Sequence, residues 1–214
     1  MNTDAQLLRR FVEDRSEPAF TALVQRYVGL VHATALRRVG GDAHAADDVA
    51  QQVFVSLARK APSLREHASL AGWLYVNTHH ATAGLVRRER RRKQREATAH
   101  SMQLTDASDS SADETSRLRP LIDDALILLK PVEREVIVLR FFAGRTFSEI
   151  GSAVKLSEDA ARKRVNRALE KLHVALARRG VTSTVAMLGT TLTGAGWEPA
   201  PAGLAFKIAG AALA

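Results

Sequence analysis

The sequence contains no cysteine, which excludes disulfides and thiolate metal sites. Aromatic residues make up only 5% of its 214 residues. Small helical cores of Leu, Val and Ala suit that mix better than a β-sandwich. No apolar stretch reaches the ~18–20 continuous residues of a membrane span. The N-terminus, MNTDAQLLRRFVEDR, lacks the apolar core of a signal peptide, so the expected location is the cytoplasm. No phosphate-cradling glycine loop and no paired nucleophile and base stand out. His79-His80 and Asp47-Asp48 resemble ligand pairs, but adjacent helical residues point about 100° apart and do not readily share an ion. The expectation is a protein that is not an enzyme and has no metal or cofactor.

Apolar residues amount to 46% of the chain, enough for a hydrophobic core, and the formal net charge is +8. With a pI near 10.4, that excess favours an anionic partner, nucleic acid before membrane. The most basic stretch is LVRRERRRKQRE (Leu85 to Glu96), where seven of twelve residues are Arg or Lys. Most such runs are solvated faces, so its role depends on its flanks.

Helical periodicity dominates those flanks, and no useful β-alternation occurs. Phe20, Leu23, Val24, Tyr27 and Val31 mark a helix from Pro18 to Val39 that the GGD at Gly40 to Asp42 terminates. A second helix is predicted from Ala43 to Ala61, with Val49, Val53 and Leu57 inward, and Pro62 breaking it. After a loop, Ser69 is the N-cap expected for a third helix running into the basic stretch. From Ala97, ATAHSMQLTDASDSSADETS has five Ser, three Thr and four acids, with no Lys, Arg or aromatic. Such a segment is too polar to bury itself and reads as a flexible acidic linker. Four further helices follow it, with Pro131 suited to a first helical turn and Gly144 to a helix stop.

The most specific local pattern is TFSEIGSAVKLSEDAARKRVNRALEKL. Thr146 and Glu149 form a T-x-x-E capping box, and Ser157 caps a second helix whose first turn carries Glu158 and Asp159. On that second helix Ala161, Val165, Leu169, Leu172 and Leu176 make one stripe. Asp159, Lys163, Asn166 and Arg167 lie opposite, with Arg162 and Arg164 on the flanks. A short capped helix, a turn and a second helix with a free basic face form the helix-turn-helix that enters a major groove. There Arg and Lys meet guanine edges and Asn meets adenine. The competing interpretation is a helical hairpin with a solvated basic face.

In chain order, ADDVAQQVF (Ala46 to Phe54), SLAGWLYVNTHHATAGLVRRERR (Ser69 to Arg91), the acidic linker and the helix-turn-helix resemble the sigma factors of bacterial RNA polymerase. The resemblance is to their compact extracytoplasmic-function group and covers about Leu7 to Arg178. It implies an all-α protein of two small helical domains joined by a flexible linker. Region 2 would occupy residues 1–96, the linker 97–117, the region 4 helix-turn-helix 118–179, and an Ala/Gly-rich, apolar C-terminal extension 180–214. Core RNA polymerase, through its β′ clamp helices and β flap, and promoter DNA are the implied partners, with an anti-sigma factor as a further candidate.

The resemblance assigns core-polymerase binding to Asp47, Asp48, Gln51, Gln52 and Phe54, although the position of Gln52 is often acidic in the family. Contacts to the −10 element fall to Trp73, His80, Arg87, Arg88 and Arg91, with Asn more usual at the position of His80. Basic side chains there can track phosphates and rings can stack on unpaired bases; for Trp73 a core position is equally open. Contacts to the −35 element fall to Ser157, Arg162, Lys163, Arg164, Asn166 and Arg167. The function implied is promoter-specific initiation, the alternative being a free-standing helix-turn-helix regulator that binds duplex DNA without polymerase. The extension from Val181 carries only Glu198 and Lys207 as charges. It is too apolar to stay in water comfortably, and Leu204, Phe206 and Ile208 are expected to pack on a helical domain or on a partner.

Overall fold

The computed structural model describes residues 2–67, 69–100, 121–181, 184–194 and 200–213; the segment predicted as a linker lies almost wholly outside them. All regular structure among the described residues is helical. Helix α1, Asp4–Glu13, begins at a capping box in which Thr3 Oγ1 accepts from the Gln6 amide and Gln6 Oε1 accepts from the Thr3 amide. Helix α2, Glu17–Arg38, carries Pro18 in its first turn, where the missing N–H costs nothing. Helix α3, Ala43–Leu64, is capped by Asp42, whose carboxylate accepts from the Ala45 amide at 3.0 Å. Helix α4 runs from Ala71 to His100, four residues past the linker boundary expected at Ala97.

Pro62 does not break α3 where the sequence suggested. The helix continues to Leu64, whose burial holds the last turn in place. Ser69 does not act mainly as a side-chain cap for α4 either. Its hydroxyl sits 3.4 Å from the Ala71 amide while donating to Glu135. Two carboxylates from distant elements serve that helix start instead. Asp4 Oδ2 accepts from the Leu70 amide at 2.9 Å, and Glu135 Oε2 accepts from the Gly72 amide at 2.7 Å. Orphaned amides at a helix N-terminus need acceptors, and here tertiary contacts supply them.

Around α2 the first domain closes. From Tyr27 to Ala35 every residue of this helix is buried, the mark of a central helix with neighbours on several sides. Those neighbours include α1, α3 and α4, and Phe20, Leu23, Phe54, Leu57, Leu74 and Tyr75 fill the space between them.

The second domain starts with α5 (121–128) and α6, Pro131–Ile137, which opens on Pro131 as expected. Arg134 donates to the carbonyls of Leu126, Ile127 and Leu129, satisfying the end of α5. Helix α6 passes into a π-helical turn, Val138–Phe142, and Gly144 at φ 62° reverses the chain. Helices α7, Phe147–Val154, and α8, Glu158–Ala177, follow. Beyond them, α9, Val185–Gly194, packs on α8 and the π turn, while α10, Leu204–Leu213, returns to pack on α2 and α3.

The two domains are packed on each other through polar groups. Asp123 on α5 is buried and faces Arg37 Nη2 at 3.4 Å and Arg38 Nη1 at 3.5 Å, both at the end of α2. It also accepts from the Tyr75 hydroxyl on α4. Arg38 is held further by Thr82 Oγ1 at 2.8 Å, and His79 Nε2 meets Asp124 at 3.0 Å. Next to this cluster, Glu135 of α6 touches Ser69 and the first turn of α4 so closely that a Cβ on Gly72 would collide with its carboxylate. Glycine at that position leaves room for the Glu135 carboxylate to reach the start of α4.

Burial pushes the Glu135 carboxyl up to about 7, a rise that the Asp4 carboxylate reinforces and the bonds from Ser69, Gly72 and Ala71 oppose. Its ordinary value is 4.5, so the folded chain holds this proton where the unfolded chain has lost it. The resulting stability is full below pH 4.5 and is lost as pH rises through about 7. The expected outcome is a downward drift of melting temperature across that window, flattened in Glu135→Gln. A wild-type curve parallel to that of Glu135→Gln would refute the assignment.

Candidate nucleic-acid interface

The helix-turn-helix is built by local capping. Thr146 Oγ1 accepts from the Glu149 amide at 3.2 Å while Glu149 Oε2 accepts from the Thr146 amide at 2.8 Å. Arg145 braces the same carboxylate at 2.8 Å, and these bonds hold its pKa below the ordinary value. Helix α7 ends at Lys155, which takes the left-handed conformation at φ 58°. The turn then passes so close to Gly151 that a Cβ there would lie 2.6 Å from the Leu156 carbonyl oxygen. Ser157 Oγ accepts from the Ala160 amide at 3.2 Å and starts α8. Both halves of the capping pattern legible in the sequence are therefore present.

On α8, Ala161, Val165, Ala168, Leu169, Leu172 and Leu176 are buried. Ser157, Arg162, Lys163, Arg164, Asn166 and Arg167 are all exposed. Arg162 is oriented, pairing with Glu158 at 3.2 Å and lying 5.0 Å from the centre of the Phe147 ring. This is the geometry a major groove requires: a helix fixed along its back, with cations and one amide along its front.

Helix α4 presents a second surface. Residues 73, 80 and 87 are spaced two turns apart, and 91 follows one turn later, so all four lie near one side. His80, Arg87, Arg88 and Arg91 are exposed. Trp73 is half-buried and packs against the core. His79, the neighbour of His80, points instead to Asp124. Burial lowers its pKa, opposed by that carboxylate.

On α3 the sites predicted for polymerase separate. Asp48 and Gln52 are exposed, and Asp47 and Gln51 are half-buried. The Asp47 carboxylate lies 3.3 Å from His32 Nε2 without hydrogen-bond alignment. Phe54 is fully buried and cannot contact a partner directly. It falls between Val53 and Leu57 on a broad inner stripe of α3, where a phenyl ring fills the core.

Of the tail residues expected to pack, Leu204 and Ile208 are 5% and 1% exposed, whereas Phe206 is 67% exposed. The spacing explains the difference. Positions 204 and 208 stack one turn apart, and 206 points about 200° away from 204.

Comparison with known proteins agrees with this layout. "Sigma-70 region 2" matches residues 23–92 and "Sigma-70, region 4" matches residues 125–173. The RNA polymerase sigma factor CarQ of Myxococcus xanthus is 33% identical over 168 residues, which span 77% of this chain and 92% of CarQ. The ECF RNA polymerase sigma factor SigE of Mycolicibacterium smegmatis is 28% identical over 164 residues, 75% of this chain and 63% of SigE. A solved structure described as CnrH in complex with the cytosolic domain of CnrY aligns at 24% identity and a TM-score of 0.38, covering 83% of this chain and 99% of that one. No helix among the described residues is long and apolar enough to cross a membrane. The matched regions, their order and the CarQ alignment establish that the chain belongs to the sigma-70 family of RNA polymerase sigma factors, in the extracytoplasmic-function group.

Proposed function

We propose that this chain binds core RNA polymerase through the exposed side of α3, opens the −10 element along α4 and reads the −35 element with α8, contributing no catalytic residue of its own. Asp48 and Gln52 are the central α3 contacts, with Asp47 and Gln51 at their margin. Arg87, Arg88 and Arg91 neutralise phosphates beside the opening strand, while His80 and the half-buried Trp73 stack on unpaired bases. Lys163, Asn166 and Arg167 read base edges in the −35 major groove, and Arg162, Arg164 and Ser157 position the helix. Phe54 supports docking only by holding α3 in its bundle.

The observation that carries this reading is the complete exposure of the polar face of α8 above a buried apolar back, in a chain that also presents a basic face on α4. A regulator acting alone would use only the first. The chain is expected to operate in the cytoplasm, where polymerase and promoter are. The test is co-purification of the full chain with core RNA polymerase in the absence of DNA. A stoichiometric complex is expected, and duplex binding without any affinity for core would point to the free-standing regulator instead.

A further inference from the structure

The C-terminal extension falls outside both matched sigma regions, yet it is engaged at both ends. Helix α9 buries Leu188 and Leu192 and packs on α8 and the π turn, in the promoter-reading domain. Helix α10 buries Leu204, Ile208 and Ala209 and packs on α2 and α3, in the other domain. Of the two helices under α10, one is the helix that carries Asp47, Asp48, Gln51 and Gln52.

The chemistry of both sides fits a helix in a groove. On α2, Val28, Leu30, Ala33 and Ala35 are buried in addition to the stripe at Phe20, Leu23, Val24, Tyr27 and Val31. One amphipathic stripe needs one partner, and a helix apolar all round needs several. Helix α10, with the sequence LAFKIAGAAL, answers with small and aliphatic residues on one face and leaves Phe206 and Lys207 outside. Apolar anchors one turn apart, as Leu204 and Ile208 are, are among the spacings by which an amphipathic helix seats in a groove of a partner. Here groove and occupant belong to one chain.

We propose that α9 and α10 form a strap in cis, with α10 occupying a helix-docking groove on α2 and α3, and that core-polymerase binding is coupled to release of that strap. This rests on the sigma-factor reading of α3 given above. Two large side chains of α10, Leu204 and Ile208, are fully inserted, and the rest of the contact is made by small or partly buried residues, Ala205, Ala209, Ala212 and Leu213. It is held by tethering through α9, which makes the local concentration of α10 high without requiring strong contacts. If the released form is about a tenth of the population, apparent affinity for core is about tenfold below its intrinsic value.

The experiment compares the full chain with full-length Ile208→Asp, and with Leu204→Ala/Ile208→Ala as a milder pair that keeps the helix uncharged. Amide exchange is followed on α2 and α3, and affinity for core RNA polymerase is titrated for each protein. Faster exchange on α2 and α3 with about tenfold tighter core binding is the expected result. Faster exchange with unchanged or weaker core binding overturns the proposal, since α10 would then be an ordinary part of the bundle. Unchanged exchange in both variants overturns it as well. If no protein in the series binds core, the sigma-factor reading of α3 falls and the strap falls with it. Equal binding by all of them removes the strap alone.

Discussion

Replacing Asp123 with alanine will lower the unfolding free energy by about 3–5 kcal/mol, the usual cost of removing one partner from a buried charge cluster. Its carboxylate accepts from Arg37 and the Tyr75 hydroxyl and pairs with the Arg38 charge, and it is only 3% exposed. Burial, reinforced by the Asp123 carboxylate, pushes the Tyr75 hydroxyl well above its ordinary value, so it remains a donor to that carboxylate. Without Asp123 the positive ends of Arg37 and Arg38, both 10% exposed or less, lose a buried negative charge that offsets their desolvation, and Arg38 keeps the more exposed Asp124 carboxylate at 3.9 Å. Asp123→Asn keeps an acceptor but no charge and should fall between the two. Urea unfolding monitored by circular dichroism measures the difference. A loss below about 1 kcal/mol for Asp123→Ala would mean that the two domains are not packed together in solution, because a solvated ion pair is worth no more than that.

The second large effect concerns promoter choice. Single alanine substitutions at Lys163, Asn166 and Arg167 should each cost on the order of 1–3 kcal/mol at the −35 base they read, and relax preference at that position. Alanine at Arg164, on the flank, should weaken binding to all sequences alike and reduce the salt slope by about one counterion. Binding of holoenzyme to a randomised −35 library, sequenced before and after selection, separates the two classes. None of these side chains is buried, so melting temperatures should hardly move. Uniform weakening by all four, with no change in sequence preference, would reduce α8 to a phosphate-binding helix.

Much of this molecule is legible in the sequence because its signals are local. The capping residues Thr146, Glu149 and Ser157, the stripe from Ala161 to Leu176 and the turn at Gly144 each act within a few residues of themselves. They therefore read the same way in the chain and in the fold. Pro62 misled because the propensity of one residue was outweighed by burial of Leu64 two positions later. Phe54 misled for a related reason: a family motif names a stretch of helix, and burial distinguishes its two sides. Arg37 and Arg38 look like ordinary cations at a helix C-terminus. Nothing near them announces Asp123, 86 residues away. The Glu135 cap on α4 is equally silent, since its partner Gly72 is 63 residues distant. Contacts between domains depend on how two finished surfaces meet, and residue spacing does not encode that.

The most direct test is run-off transcription with purified core RNA polymerase across a library of bacterial promoter fragments, with start sites mapped. With the full chain added, initiation should appear at a restricted set of fragments sharing a −35 and a −10 element, and core enzyme alone should give none of them. A saturating amount of chain that leaves core unable to initiate on any fragment would contradict the assignment, whatever affinity the protein shows for duplex DNA.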